Sequence, residues 1–195
     1  MPAREALLRL VGEGFLQGTT RGFCVPSLTL QDLADLFELR RQLEPRAAAA
    51  AARDLTPDAR AALGQAMGVI RDAHAQGDTS AMIRANLDFR VAWTGCLTNR
   101  RLASAISRHM DYFQAIRLQT FADLSTRGGY VAALGDLHQA LVARDSLAAG
   151  DRMMLFLFTA ETAYRAALAT MERYAAEKQT SSGRRTAGAK HRRER

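Results

Sequence analysis

The sequence predicts an all-α protein: an antiparallel bundle of about six helices, preceded by one short helix and a β-hairpin. Three observations predict it. Apolar residues recur every three or four positions over most of the chain, alanine is abundant while 195 residues include only 4 prolines, and the breaks between periodic stretches are short. Antiparallel helices joined by such turns close into a bundle.

The elements follow in order. Pro2 to Gly12 carries Leu7, Leu8, Leu10 and Val11 on a short amphipathic helix. Phe15-Leu16 and Phe23-Cys24-Val25 flank the polar stretch Gln17 to Gly22, which reads as a hairpin with Arg21 near its tip. Thr29 and Asp32 have the spacing of a capping box, opening a helix striped by Leu33, Leu36, Phe37, Leu39 and Leu43. Pro45 is expected to kink this helix before it resumes through Ala47 to Ala52. Thr56-Pro57 starts the next helix and Gly77-Asp78 ends it. A third helix is expected from Ser80 to Leu97 and a fourth from Arg100 to Asp123, with a break over Ser125 to Gly129. A fifth covers Tyr130 to Ala148, Gly150-Asp151 is the expected stop, and the last runs from Arg152 to Glu177. The resulting division is residues 1–28, 29–177 and 178–195: a small head, a helical domain and a tail.

Apolar residues make up 48% of the chain, ample for a buried core, and none of it forms an uninterrupted run long enough to span a membrane. The first residues include Pro2, Arg4 and Glu5 and lack the apolar region of a signal peptide. Cys24 and Cys96 make neither a disulfide framework nor a metal motif, so reduced thiols and a cytoplasmic location are expected. The formal charge of +7 sits in the tail: residues 178–195 hold seven basic side chains against Glu194, a net +6, which leaves +1 for the other 177 residues. With almost no apolar residues the tail is expected to be disordered. It is equally a solvated end or an arm attracted to nucleic-acid phosphates. Nothing in the chain has the spacing of a nucleophile–base pair, a phosphate-binding glycine loop or paired catalytic carboxylates, so an enzyme is not expected.

Polar residues stand where a core wants apolar ones. Ile83, Asn86, Arg90, Trp93 and Leu97 fall on one helical face, so Asn86 and Arg90 point where Trp93 points. An arginine there needs a partner, either a protein carboxylate (Glu161 is one candidate) or a bound anion. Leu102, Ile106, His109, Phe113 and Ile116 form a second such stripe, His138 lies beside Leu134 and Leu141, and Glu161 and Thr162 interrupt the last apolar run. Four helices each placing a polar group inward is the pattern of a pocket inside a bundle. Each residue alone is also consistent with a hydrogen-bonded core position.

The string P-A-R-E-A-L-L-R-L-V-G-E-G-F-L from Pro2, followed by R-G-F-C-V from Arg21, resembles the recognition helix and wing of GntR-type transcription regulators. L-x-D-L-F-E-L-R-R-x-L-E-P closing on Pro45, N-x-x-F-R from Asn86 to Arg90, and Asn99-Arg100-Arg101-Leu102 resemble the FCD ligand domain of the FadR subfamily. The resemblance covers about Pro2 to Tyr174. It implies a ligand-responsive, DNA-binding homodimer without membrane contact, in which residues 29–177 bind the effector and dimerise. It also implies that Arg4, Arg9 and Arg21 face an operator. The family's winged helix has two further helices before the recognition helix. A late-placed start is therefore expected, or else a stand-alone effector-binding domain without DNA binding.

The resemblance also implies a divalent metal on an aspartate, a histidine four residues later, and two histidines of the last two helices. The first two positions here are Asn86 and Arg90, His138 stands near the third and Thr162 near the fourth. An amide is a weak ligand and a guanidinium has no free lone pair, so no metal cofactor is expected. The expected effector is a small organic acid held by Arg90, with Asn86, His109, His138 and Thr162 completing the site.

Overall fold

The computed structural model describes residues 2–12, 16–20, 22–24, 29–110 and 120–191. Its elements are α1 (Pro2–Gly12), β1 (Gln17–Thr19), β2 (Gly22–Cys24), α2 (Leu30–Arg53), α3 (Pro57–Gln76), α4 (Thr79–Gly95), α5 (Arg100–Met110), α6 (Leu124–Val142) and α7 (Ser146–His191). The strands β1 and β2 pair antiparallel, with Gln17 opposite Cys24 and Thr19 opposite Gly22, as the sequence suggests.

Side-chain oxygens begin most of the bundle helices. Thr29 and Asp32 form the reciprocal capping box of α2, with Asp32 N donating to Thr29 Oγ1 at 3.1 Å and Thr29 N to Asp32 Oδ2 at 2.9 Å. Thr56 caps α3 with Pro57 at its first turn, and Asp78 caps α4. Gly77 ends α3 at φ 73°, a left-handed conformation that glycine takes without strain.

Two helix starts differ from the expected ones, both because an aspartate cap overrides a glycine cue. Asp123 accepts the Thr126 amide at 3.1 Å, so α6 begins at Leu124 and takes Ser125 to Gly129 into its first turns. Asp145 accepts the Ala148 amide at 3.0 Å, so α7 begins at Ser146 and Gly150-Asp151 lies inside it. Of these glycines, Gly150 serves packing instead. A Cβ on Gly129 would lie 3.9 Å from Thr159 Cγ2, and one on Gly150 only 3.3 Å from the Pro45 carbonyl oxygen. The helix α2 is continuous across Pro45, and α7 continues to His191, through residues whose composition suggests disorder. Alanine, arginine and lysine there have good helix propensity.

The helix α2 is the hub. It packs along α7 and also reaches α4, α5 and α6, while α3 pairs with α4 and α6 with both α3 and α7. Ala47, Ala48, Ala51 and Ala52 are wholly buried, and their small size lets neighbouring helices approach. Around them Phe37, Phe89, Trp93, Leu63 and Met82 are buried, each such side chain contributing about 1.5–3 kcal/mol on leaving water.

Two glycine substitutions should behave oppositely. Gly150→Val forces side-chain atoms against the Pro45 backbone and should destabilise the protein by about 1–3 kcal/mol. Gly64→Ala, in α3 with open space around it, should stabilise by about 0.5–1 kcal/mol. Urea denaturation reads both, and an unchanged midpoint for Gly150→Val would contradict the close α2–α7 contact.

Candidate functional site

Three charged side chains meet inside the bundle. On α2, Phe37, Arg40, Glu44, Ala48 and Ala51 recur at three and four residues, which sends Arg40 and Glu44 into the core at 4% and 1% exposure. Arg90 joins them from α4 with a side chain 13% exposed. Arg40 Nε donates to Glu44 Oε1 at 2.7 Å and its Nη2 to Oε2 at 3.3 Å. Arg90 reaches the same two oxygens, Nη1 to Oε1 at 3.4 Å and Nη2 to Oε2 at 3.2 Å, without the short contact that Arg40 makes to Oε1. The guanidinium groups also lie over aromatic rings, Arg40 over Phe37 at 4.7 Å and Arg90 over Trp93 at 5.8 Å.

One carboxylate thus serves two cations, unequally. Burial pushes the Glu44 carboxyl up, but Arg40 and then Arg90 outweigh it and hold the group at about 2. Burial also opposes the charge on Arg40, yet Glu44 prevails and raises its pKa. At Arg90 burial wins, reinforced by the neighbouring Arg40 charge, and its pKa is lowered. Arg90 is the cation that Glu44 neutralises least.

Arg90 opens onto a small cavity shared with Asn86, Trp93, Tyr130, Leu134 and Phe156. Asn86, buried on α4, donates its amide to the Tyr130 hydroxyl on α6 at 2.8 Å. The cavity holds about 10 Å³, room for one water at most. A larger open groove of about 350 Å³ lies between the start of α6 and α7. Its hydroxyls are engaged locally, Thr126 with Asp123 and Thr170 with the Ala166 carbonyl, and among the described residues it presents no cation.

Of the expected site residues, Asn86 and Arg90 come together as the helical face requires. Two others stand elsewhere, and their placement at the cavity is corrected. His138 turns one step around α6, its ring against Phe89 and its Nε2 buried without a partner among the described residues. Burial first, then Arg71 and Arg60, lower its pKa and favour the neutral ring. Thr162 is exposed on α7 and donates to the Phe158 carbonyl at 3.0 Å. The positions of α6 and α7 that do meet Asn86 and Arg90 are Tyr130, Leu134 and Phe156. Glu161 is not the partner of Arg90, because it is held by Arg41 and Arg165. Arg4 is exposed on α1, the side chains of Arg9 and His109 lie outside the described set, and so does residue Arg21.

The metal that the resemblance implies does not fit this lining. It offers one amide, a guanidinium without a lone pair and a neutral phenol. Among the described residues no three His, Cys, Asp or Glu side chains gather as a ligand set.

The pattern of the FCD domain matches residues 35–158. The chain belongs to the FCD-domain family. Over 92 residues it is 36% identical to the HTH-type transcriptional regulator McbR of Escherichia coli (strain K12), a match spanning 47% of this chain and only 42% of that protein. The fold superposes on E. coli McbR/YncC with a TM-score of 0.76 at 24% identity, covering 83% of this chain and 82% of that one. A putative transcriptional regulator GntR from Rhodococcus sp. RHA1 gives a TM-score of 0.63 at 22% identity, over 85% and 79% of the two chains. Streptococcus agalactiae GntR gives 0.55 at 22% identity, over 82% and 79%. These relatives are transcription regulators, not enzymes. Among the described residues no helix is long and apolar enough to cross a membrane.

The low pKa of Glu44 fixes a pH dependence. A carboxyl depressed from 4.5 to about 2 stabilises the fold above pH 4.5, and this is lost as pH falls towards 2. Melting temperatures between pH 5 and 2.5 should fall steeply. Glu44→Gln should flatten that fall while destabilising the protein at pH 7 by about 3 kcal/mol, since it strands two buried guanidiniums. Parallel acid profiles for both proteins would contradict this role.

Proposed function

We propose that the chain is a ligand-responsive transcription regulator whose helical domain senses a small organic acid through Arg90. The observation that carries this reading is that Arg90, at the wall of the cavity, meets Glu44 only at 3.2 and 3.4 Å, whereas Arg40 adds a short 2.7 Å bond to the 3.3 Å contact it makes. A carboxylate arriving from the cavity would take over Arg90 in a bidentate contact, and Glu44 would stay neutralised by Arg40. Asn86 and Tyr130 add an amide and a hydroxyl that orient the ligand. No transition metal is required, as the guanidinium supplies the positive charge.

The cavity is too small for such a ligand as it stands, so binding separates α4 from α2 or α6 and couples occupancy to the position of α2. That helix follows directly on the N-terminal head. In this reading α1 and the β1–β2 hairpin form part of the DNA-contacting surface, with Arg4, Arg9 and Arg21 reaching phosphates or base edges. The active species is a homodimer on a two-fold operator. Leu147, Leu155 and Phe158, exposed at 78%, 54% and 53% on α7, are apolar surface that a second copy would cover.

Arg90→Ala is the direct test. It leaves Glu44 paired with Arg40, so the fold should persist, and affinity for carboxylate probes should drop at least about tenfold by calorimetry. Unchanged affinity would sink the reading.

A further inference from the structure

The described interior holds more positive than negative charge. Arg40, Arg127 and Glu44 are 4%, 2% and 1% exposed, and the Arg90 side chain 13%. Arg40 and Arg90 share Glu44, while Arg127 is buried without a carboxylate beside it among the described residues, in surroundings where unpaired charge is strongly disfavoured. Arg40 and Glu44 satisfy one another, and Arg90 keeps a looser share. Arg127 keeps none: its Nε and Nη1 are buried without a hydrogen-bond partner among the described residues.

Its position on α6 indicates where its partner belongs. Arg127, Tyr130, Leu134, Leu137 and Leu141 are spaced by three and four residues on one buried stripe. Tyr130, Leu134 and Leu137 of this stripe line the cavity that holds Arg90. Asn86 meets Tyr130 and Phe89 meets His138, so α4 and α6 run in the same sense. Arg127 lies one turn, about 4.5 Å, before Tyr130, and Arg90 one turn, about 6 Å, beyond Asn86. The two arginines thus flank the Asn86–Tyr130 hydrogen bond from opposite sides.

We propose that the site recognises a ligand with two anionic groups, one received by Arg90 and the other by Arg127, its middle lying over Asn86 and Tyr130. The chemical class is a short dicarboxylate. This inference rests on the acid-sensing reading and deepens it.

The test titrates the full chain with succinate, glutarate and adipate, each beside the monoacid of equal length, butyrate, valerate and hexanoate. At least one diacid should bind about tenfold or more tightly than its monoacid, the worth of a second charge-assisted contact. Arg127→Met should bring that ratio close to one and leave the monoacid affinity unaltered. The ligand-free variant should melt no lower than the parent, because it loses an unpaired buried charge and keeps most of the stem volume. A lower melting temperature would mean that Arg127 is held by the fold, and would overturn the proposal. So would a series in which no diacid outbinds its monoacid, or a diacid preference that survives Arg127→Met. Arg90→Ala separates the two claims. If it weakens both probes while Arg127→Met changes nothing, only the two-anion assignment falls; if it weakens neither, the sensing site falls with it.

Discussion

Glu44 brings a full carboxylate into the centre of a helical bundle, where only the two guanidiniums around it make the charge tolerable. Arg40 arrives from the preceding turn of the same helix and would form that pair in any sound α2. Arg90 comes from α4, so its contact is tertiary and ties two helices through an ion pair where apolar packing alone would otherwise act. Replacing the trio by hydrocarbon would cost the fold little.

The surrounding structure follows from this arrangement. The alanine run of α2 and the glycine of α7 bring helices close beside the charges, while α4 carries the second cation. Trp93 and Phe37 lie under the guanidiniums, giving the charges aromatic faces in place of water. The cavity beside Arg90 is small because aromatic and aliphatic side chains of α4, α6 and α7 close around it.

Much of this was legible in the sequence. Helical periodicity located the bundle, and the spacing of Asn86, Arg90 and Trp93 placed an arginine on an inward face. The same spacing rule marks Arg40 and Glu44 on the stripe of Leu33 and Phe37, and Arg127 on that of Tyr130 and Leu134, so these were available and passed over. What periodicity cannot give is which inward residue meets which across the core. Glu161 looked as suitable for Arg90 as Glu44 does, and only the packing of α2 between α4 and α7 decides between them. Counting along the helices towards the family's ligand positions put His138 and Thr162 at the cavity, whereas His138 packs behind Phe89 and Thr162 is exposed, since a small offset in register turns a helical side chain to another face. Glycines misled at Gly129 and Gly150, where an aspartate sets the boundary, and at Gly150 the absent Cβ serves close packing.

The uninterrupted course of α2 from Thr29 to Glu44 has a mechanical side. Its capped end is the end nearest the hairpin in sequence, and its carboxylate sits about 22 Å away along the helix. With Glu44 as the fulcrum, a tilt of only about 5° would sweep the Thr29 end through about 2 Å at that lever length. The buried ion pair thus lies at the far end of a long lever, so that a rearrangement of a few tenths of an ångström among its side chains corresponds to a several-fold larger backbone movement at the Thr29 end.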